Sequence, residues 1–428
     1  MRVNVRKEKR NLVFSFEKDI YDIDEIDSLK FSMTDTEIFF DLGDGDWEIP
    51  HPDILGLTSI LLCNPFIGEE LYLPKPVSRN FLNRVSSVIS RYKIMSEIDE
   101  GLDSLERLGD RPSLAFSGGA DSSAALAVMP SDTIPIFLNR PMRMDSRYDS
   151  HAPIEICNIL SESGYEVQIV TSNLEYLRSP IGFPTDLANA IPAVLLSERL
   201  DLDSIAFGTV MESGYGIGHE KFVEYSQGSH WRFYSNLFQS VGLSLSLPVI
   251  GVSEVGTAII CNSAPVANLA QSCIRGSFGR PCLRCWKCYR KELLSFSLMQ
   301  KDPPDFSKMM NSGEIQTRLS AFPISHENVI IYSLQRIDLD EYRILRPIAE
   351  KLEMSVDLSC LEKWHYESIE HVPMKYRFSI REKILNYIQP MNREEEQVLK
   401  NWNMAPHLKK ESTRAAQEKL TSFWQDLN

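Results

Sequence analysis

The chain has 428 residues, of which 43% are hydrophobic and 24% charged, and its formal net charge at pH 7 is −14. This length exceeds one ordinary hydrophobic core and predicts roughly two or three domains. The sequence contains no apolar stretch near the ~18 residues that cross a bilayer, which excludes an integral membrane protein. The negative charge disfavours sequence-independent binding to nucleic acid.

The amino terminus and the cysteines indicate the compartment. Met1 to Arg10 is basic, but no apolar segment or cleavage site follows it, so we expect no secretion signal. Four of the eight cysteines lie within sixteen residues, and the others are scattered at Cys63, Cys157, Cys261 and Cys360. This distribution suits metal binding in a reducing compartment. We therefore expect a cytoplasmic protein.

Residues 1–100 predict a β-rich α+β module. Alternating apolar and polar residues predict strands over Asn11–Phe16 and Glu37–Leu42. A proline-punctuated stretch follows, and helical spacing then predicts a helix over Asn80–Tyr92. We assign no chemistry to this module.

Residues 101–295 have a different pattern, in which apolar strand candidates alternate with helical segments. The predicted strands are Ser113–Phe116, Ile134–Leu138, Glu166–Val170 and Ser204–Phe207, and the predicted helices are Ser122–Val128, Ile154–Ser163 and Leu187–Leu200. Such alternation is typical of an α/β domain with a parallel sheet. Residues 296–428 are mostly helical in pattern, including Glu341–Leu352 and a polar tail over Arg393–Asn428, and predict a helical C-terminal extension.

A glycine-rich hexapeptide follows the first of these strands: Ser117-Gly118-Gly119-Ala120-Asp121-Ser122, with Ser123 behind it. The glycines admit close backbone approach, the hydroxyls donate hydrogen bonds, and the N-terminal end of the following helix attracts an anion. The motif predicts a pyrophosphate-binding loop in which Asp121 caps the helix or helps to hold Mg²⁺. An ordinary Ser-Gly turn is the alternative. A Walker loop is excluded, because its motif is missing from the sequence.

Four cysteines predict a closed metal site: Cys273, Cys282, Cys285 and Cys288. Zinc prefers four thiolates in a tetrahedron. An iron–sulfur cluster is the competing interpretation, but its usual downstream cysteine followed by proline is missing from Tyr289–Leu294. Six basic residues surround the cysteines, and we interpret them as a solvated rim rather than as a nucleic-acid surface: Arg275, Arg280, Arg284, Lys287, Arg290 and Lys291.

The hexapeptide resembles the SGGxDS signature of the PP-loop ATP pyrophosphatases, which cleave ATP between its α and β phosphates. The cysteines share the spacing of the QueC family, the 7-cyano-7-deazaguanine synthases, and the resemblance covers roughly residues 110 to 292. Two departures affect base recognition or amine transfer. Gly216-Ile217-Gly218-His219 stands where the family has Pro-Asp-Cys-Arg, and Gly256 stands about where it has lysine.

The resemblance implies an adenine nucleotide alpha hydrolase-like fold and an ATP-dependent ligase that forms a C–N bond. It implies structural Zn²⁺ on the four cysteines, Mg²⁺ with ATP on residues 117–123, and catalytic roles for Ser117, Asp121 and Ser122. The candidate substrate-binding residues for 7-carboxy-7-deazaguanine are Asn189, Glu212, Tyr215 and His219. A solvated acid, a core aromatic and a surface histidine are the plain alternatives for the last three. His230 and Trp231 are expected to pack rather than react.

The length resembles that of long QueC-like proteins in bacterial antiphage systems, type IV CBASS and Qat, which implies a partner protein whose amine is the acceptor. The alternatives are nitrile synthesis from ammonia, tRNA thiolation, sugar amidation, and a non-catalytic ATP-binding assembly subunit. Thiolation needs a thiol near the nucleotide, a place that folding can give to Cys157 or Cys261. A homodimer is a further open expectation.

Overall fold

The computed structural model describes residues 1–26, 30–106, 109–144 and 146–427, with side chains up to Trp424. Its strands are β1 (Arg2–Glu8), β2 (Asn11–Glu17), β3 (Glu25–Ile26), β4 (Phe31–Met33), β5 (Glu37–Asp41), β6 (Glu70–Tyr72), β7 (Lys93–Met95), β8 (Arg111–Phe116), β9 (Ile134–Asn139), β10 (Gln168–Thr171), β11 (Arg178–Ser179), β12 (Leu202–Ala206) and β13 (Ser244–Ser246).

The α-helices of the described residues are α1 (Pro52–Cys63), α2 (Arg79–Val88), α3 (Ala120–Val128), α4 (His151–Glu162), α5 (Ile191–Leu196), α6 (Met211–Gly214), α7 (Ser229–Gln239), α8 (Glu254–Ser263), α9 (Trp286–Ser297), α10 (Phe306–Met310), α11 (Gly313–Leu319), α12 (Glu327–Leu334), α13 (Arg346–Lys351), α14 (Met374–Leu385), α15 (Arg393–Lys400), α16 (Ala405–Leu408) and α17 (Glu411–Leu427). None of these helices is long and apolar enough to cross a membrane.

The first sheet mixes strand directions. Within the described residues its order is β5-β2-β1-β6-β7, with antiparallel pairs around β2 and parallel pairs on β6. The predicted strands over Asn11–Phe16 and Glu37–Leu42 are confirmed as β2 and β5. The proline-punctuated stretch holds α1, because Pro52 occupies the first helical turn, where its missing N–H is harmless.

The second sheet is parallel throughout, with the described strands in the order β10-β9-β8-β12-β13. The four predicted strands are confirmed within one or two residues at each end. The chain order reverses between β8 and β12, and such a reversal is where open parallel sheets bind ligands. The loops after β8 and β12 therefore flank the place where a site is expected.

Two predicted helices are shorter than expected. The helix over Leu187–Leu200 reduces to a 3₁₀ turn at Ala188–Ala190 and α5, because Pro192 favours a helix start at this point. The helix over Glu341–Leu352 reduces to a 3₁₀ turn and α13, with Pro347 in its first turn. The polar tail over Arg393–Asn428 comprises α15, α16 and α17, and Asn428 lies outside the described residues.

The parallel sheet is packed on both faces. On one face a hydrophobic cluster includes Ala124 of α3, Ile156 of α4, Ile260 of α8 and Ile380 of α14. On the other face a larger cluster joins α5 and α7 to the first sheet. The helical C-terminal region therefore packs directly on the helix that follows the glycine-rich loop. The predicted domain boundaries near residues 100 and 295 stay predictions.

Candidate anion-binding cleft and metal centre

A cleft of about 340 Å³ lies at the carboxyl edge of the parallel sheet, where β8 and β12 end. Five segments of the chain line it. They are the glycine-rich loop, the turn before α5, the segment after β12, the segment around Cys273, and α9, and their lining residues include Ser117, Gly119, Asp121, Ser122, Asp186, Asn189, Gly208, Thr209, Ser213, Gln271, Ser272, Ile274, Lys287, Arg290 and Lys291. The sheet topology thus brings the predicted loop to a polar, largely basic cavity.

Backbone and hydroxyl contacts hold the loop in shape. Gly118 has a φ of +72°, a conformation that side chains disfavour, and its carbonyl accepts a hydrogen bond from Gln271 N at 2.8 Å. The hydroxyls of Ser117 and Ser122 lie 3.0 Å apart. Gly119 caps α3 without a side chain, so the positive N-terminal end of this helix opens onto the cleft.

Gly208 brings the end of β12 against the loop. A Cβ added at this position would lie 2.6 Å from Ser122 N and 2.7 Å from Asp121 C. Real Cβ atoms do not approach backbone so closely, so only glycine permits this contact. The segment after β12 therefore packs directly on the first turn of α3, and both line the cleft.

The third wall is basic and comes from α9. Lys291 Nζ lies 3.3 Å from Asp121 Oδ1 and 3.0 Å from Glu254 Oε2. Arg290 contacts the other oxygen of Glu254 at 2.7 Å and is 6% exposed. The interpretation of a solvated rim is therefore wrong for Arg290, whereas Arg284 and Lys287 are exposed.

Glu254 is the centre of a buried ion cluster behind the loop. Its Oε1 also lies 2.7 Å from His326 Nδ1, which the C-terminal region contributes. Burial alone would raise the pKa of Glu254, but the charges of Lys291 and Arg290 hold this pKa well below its usual range. Burial likewise opposes the charge of Lys291, but Asp121 and Glu254 raise the pKa of its ammonium. Both groups are therefore charged at neutral pH.

The predicted substrate-binding residues occupy different places. Asn189 lines the cleft, whereas Glu212, Tyr215 and His219 are not among the described residues that line it. Glu212 is fully buried and accepts hydrogen bonds from Asn328 Nδ2 at 2.8 Å and from Glu254 N. Burial, followed by the charge of Glu254, raises the pKa of Glu212 to about 8.

The rings of Tyr215 and His219 contact other side chains. Tyr215 is 1% exposed and stacks on Phe222, with ring centroids 5.7 Å apart. His219 lies 5.5 Å from the ring of His326, and burial lowers its pKa. Tyr215 packs in the core as its plain alternative has it, and substrate roles for both residues stay predictions.

The four clustered cysteines form a group that can hold a metal ion. Their sulfur atoms all lie within 4.8 Å of one another, and Cys282 Sγ is 3.8 Å from Cys288 Sγ. A tetrahedron with metal–sulfur bonds of about 2.3 Å has edges of about 3.8 Å, so the spacing suits one ion. Cys282 N and Cys288 N point at Cys273 Sγ and Cys285 Sγ.

The remaining candidate thiols are not activated. Cys261 Sγ donates to Ala120 O at 3.2 Å, next to the loop, and burial raises the pKa of this thiol to about 12. Cys157 is fully buried, and burial raises its pKa to about 12 as well. Neither thiol is ionised at neutral pH, and the thiolate is the nucleophilic form.

The basic wall has a local signal in the sequence, whereas the carboxylate near Asn189 has none. Lys291 follows Cys288 by three residues, which is about one helical turn. The sequence therefore allows the prediction that this cysteine and this lysine lie on the same side of α9. Asp186 belongs to no motif, and its place in the cleft depends on the fold of the turn before α5.

The fold and site define an α/β protein with a parallel sheet, a glycine-rich loop at the reversal of strand order and a four-cysteine cluster. The model of a family described as "Family of unknown function (DUF6395)" matches residues 233–403. The chain is similar to that family over α7 to α15, a range that contains the cysteines but not the loop. No curated protein and no solved structure matches the chain.

Proposed function

We propose that the chain is an ATP-dependent ligase of the PP-loop type, which adenylates the carboxylate of 7-carboxy-7-deazaguanine and transfers the acyl group to an amine. The observation that carries this proposal is the contact of Lys291 with Asp121 beside a glycine-rich loop at the strand-order reversal. The loop and the lysine together supply the backbone donors and the positive charge that a pyrophosphate requires.

The proposed reaction has two steps. A carboxylate oxygen of the acid attacks the α-phosphorus of ATP, the bond from this phosphorus to the bridging oxygen breaks, and pyrophosphate leaves. The acceptor nitrogen then attacks the acyl carbon, the bond to the AMP oxygen breaks, and the nitrogen loses a proton. One ATP is thereby converted to AMP and pyrophosphate for each new C–N bond.

Residues 117–123 hold the leaving pyrophosphate in this proposal. Ser117, Ser122 and the N-terminal end of α3 bind its oxygens, and Lys291 offsets the charge that develops on them. Mg²⁺ bound with ATP would neutralise further phosphate charge beside Asp121, whose side chain is 34% exposed. Because Asp121 contacts Lys291 and both residues line the cleft, Asp121 aligns the lysine and the Mg²⁺ with the phosphates in this proposal.

The metal in this proposal is structural Zn²⁺ on Cys273, Cys282, Cys285 and Cys288. Four closely spaced thiols suit a closed tetrahedral site. Cys285 and Cys288 lie at the start of α9, and Arg290 and Lys291 lie within the next turn. The metal therefore fixes the helix that carries the basic wall, and takes no part in the chemistry itself.

The acceptor is proposed to be the amine of a partner protein in bacterial antiphage defence, on the resemblance to the long QueC-like proteins alone. Ammonia is the alternative acceptor and would give the amide. A second ATP would then adenylate the amide oxygen with release of pyrophosphate, and loss of AMP and a proton would leave the nitrile. Thiolation is disfavoured, because the thiols of Cys261 and Cys157 are buried and protonated.

The test is incubation with ATP and 7-carboxy-7-deazaguanine, with AMP and pyrophosphate measured. We expect equal amounts of the two products, and loss of both in the variant Ser117→Ala, Asp121→Ala with unchanged bound metal. Ser113→Ala is the matched control and should keep AMP release, since this buried serine of β8 lies before the loop and donates its hydroxyl to Ser204 O. No release with the acid, alone, with ammonium or with the product of a neighbouring gene, would refute the proposal.

A further inference from the structure

One wall of the cleft carries the Asp186 carboxylate, which a partly exposed relay of His230 and Tyr225 holds. Asp186 lines the cavity, and its side chain is 77% exposed. Asp186 Oδ2 lies 3.4 Å from His230 Nε2, and His230 Nδ1 lies 2.8 Å from the hydroxyl of Tyr225. The tautomer of His230 with its hydrogen on Nε2 satisfies both contacts, because Nε2–H faces Asp186 while Nδ1 accepts from the hydroxyl of Tyr225.

This relay orients the carboxylate and favours its charged form. The hydrogen bond from His230 is the main reason why the pKa of Asp186 lies below its usual range. Tyr225 is 8% exposed and also contacts the rings of His230 and Trp231, so the relay is anchored in the core. His230, expected to pack, is therefore a positioning residue for a group in the cleft.

A second polar group lies beside Asp186. Asn189 follows it by three residues on the 3₁₀ turn before α5 and lines the same cavity. Among the described residues, Asn189 Oδ1 has no hydrogen-bond partner. A buried amide oxygen without a partner is costly, so this side chain calls for a ligand with an N–H or O–H donor.

We propose that Asp186 and Asn189 form the subsite that recognises the aminopyrimidinone edge of the acid substrate. This edge carries two adjacent donors, a ring N–H and an exocyclic amino group, and the two oxygens of a carboxylate accept from both in parallel. An adenine ring presents an acceptor nitrogen beside its amino group, and a carboxylate repels that nitrogen. The subsite thus selects a guanine-type ring and leaves the adenine of ATP to another part of the cleft.

This inference rests on the proposed function for its substrate, and Asp186 takes the role that the sequence suggested for Glu212. The carboxylate of Glu212 is bonded to Asn328 and to Glu254 N, away from the described lining of the cleft. Asp186, in contrast, lines the cavity three residues before Asn189. The ribose of ATP and the ammonium group of the acceptor are the other ligands that this carboxylate could bind. The test distinguishes both of them from the acid substrate.

The test compares steady-state AMP release by the wild type and Asp186→Asn, with the acid, ATP and the amine varied in turn. Asparagine keeps the shape but turns an N–H toward the donors of the substrate. We expect the KM for the acid to rise about 100-fold, with the KM values for ATP and amine changed less than about 2-fold. Asp132→Asn, at an exposed residue before β9, is the control and leaves all three unchanged.

An analogue of the acid without the exocyclic amino group sharpens the test. It should bind the wild type about 10- to 100-fold more weakly than the parent acid, and this difference should vanish in Asp186→Asn. His230→Ala should raise the KM for the acid about 10-fold without changing kcat. Substitution by glutamine, which retains a donor, should restore part of the loss.

Several results would overturn the inference. A rise in the KM for ATP or amine, with the KM for the acid unchanged, would assign Asp186 to another ligand. Absence of AMP release by the wild type would refute the proposed function, and calorimetric titration with 7-carboxy-7-deazaguanine would then decide the subsite. If the acid bound the wild type and Asp186→Asn with equal affinity, or bound neither, the proposed subsite would be rejected.

Discussion

The two larger sheets of the molecule differ in where their strands end. In the first sheet β5, β2 and β1 are antiparallel, with β1 and β2 joined by a tight hairpin, so these neighbouring strands end at opposite edges, whereas β6 and β7 run parallel to β1. In the parallel sheet every described pair is connected through a crossover, and all carboxyl ends meet at one edge. The loops that follow all five strands can meet at one edge only in the second arrangement, and the cleft lies at that edge.

The charges of the two sheets differ in the same way. Arg6 of β1 pairs with Glu8 and Glu37 on the surface, and its side chain is 44% exposed. Arg290 and Glu254 pair behind the loop, with side chains 8% and 1% exposed. Water screens the first group and not the second, so a change of charge should matter little in one place and much in the other.

Loss of a metal ligand should have the largest effect. Cys288→Ser should release the ion and unfold the segment around α9, because structural zinc contributes about 10 kcal/mol or more, comparable with the stability of a whole domain. Metal analysis and circular dichroism on heating would measure both. Cys157→Ala, at a buried cysteine outside the cluster, should cost about 1 to 2 kcal/mol and leave the metal bound. A folded, metal-free Cys288→Ser would show that the ion is dispensable.

Removal of the lysine at the loop should have the next largest effect. In Lys291→Met the phosphates lose a charge partner, and AMP release should fall about 100-fold. The change also removes one of the cations on Glu254, at a cost of about 2 kcal/mol, while bound metal is unchanged. Lys301→Met, which removes a lysine paired with Glu292 at the surface, is the control. If both variants kept full activity, Lys291 would serve stability alone.

The features that the sequence predicted well are those encoded locally. Apolar runs predicted β8, β9, β10 and β12, since strands buried on both faces need them, and the spacing of the cysteines predicted their grouping. The helix α1 escaped prediction because it is buried on all sides, so its apolar residues show no helical period.

The unpredicted parts of the site depend on contacts between distant segments. Lys291 meets Asp121 across 170 positions of chain, and Glu254 meets His326 of the C-terminal region. Asp186 is an exposed residue in a turn, without any local signal of a role. Neither propensity nor periodicity carries such information, because each of these pairings is set by the packing of α9 and α12 near the parallel sheet.

The buried acid behind the cleft predicts a dependence on pH. With its pKa raised to about 8, Glu212 keeps its proton in the folded protein, whereas in the unfolded chain it loses it above about pH 4.5. Its contribution is therefore complete below pH 4.5 and is lost as the pH rises through 8. Between pH 5 and 8 the wild type should lose about 1 to 3 kcal/mol relative to Glu212→Gln, measured by urea unfolding. The exposed-site variant Glu69→Gln should show no such trend.

The smallest effect should come from the first sheet. Arg6→Ala removes both surface ion pairs of β1, and such pairs contribute about 0 to 1 kcal/mol. Urea unfolding should show a loss of at most about 0.5 kcal/mol, and less in high salt, because ions screen exposed charges. AMP release should stay at the wild-type level, since the described cleft has no residue from this sheet. A fall in activity with intact stability would mean that the first sheet also takes part in binding, and the contrast between the two sheets would no longer hold.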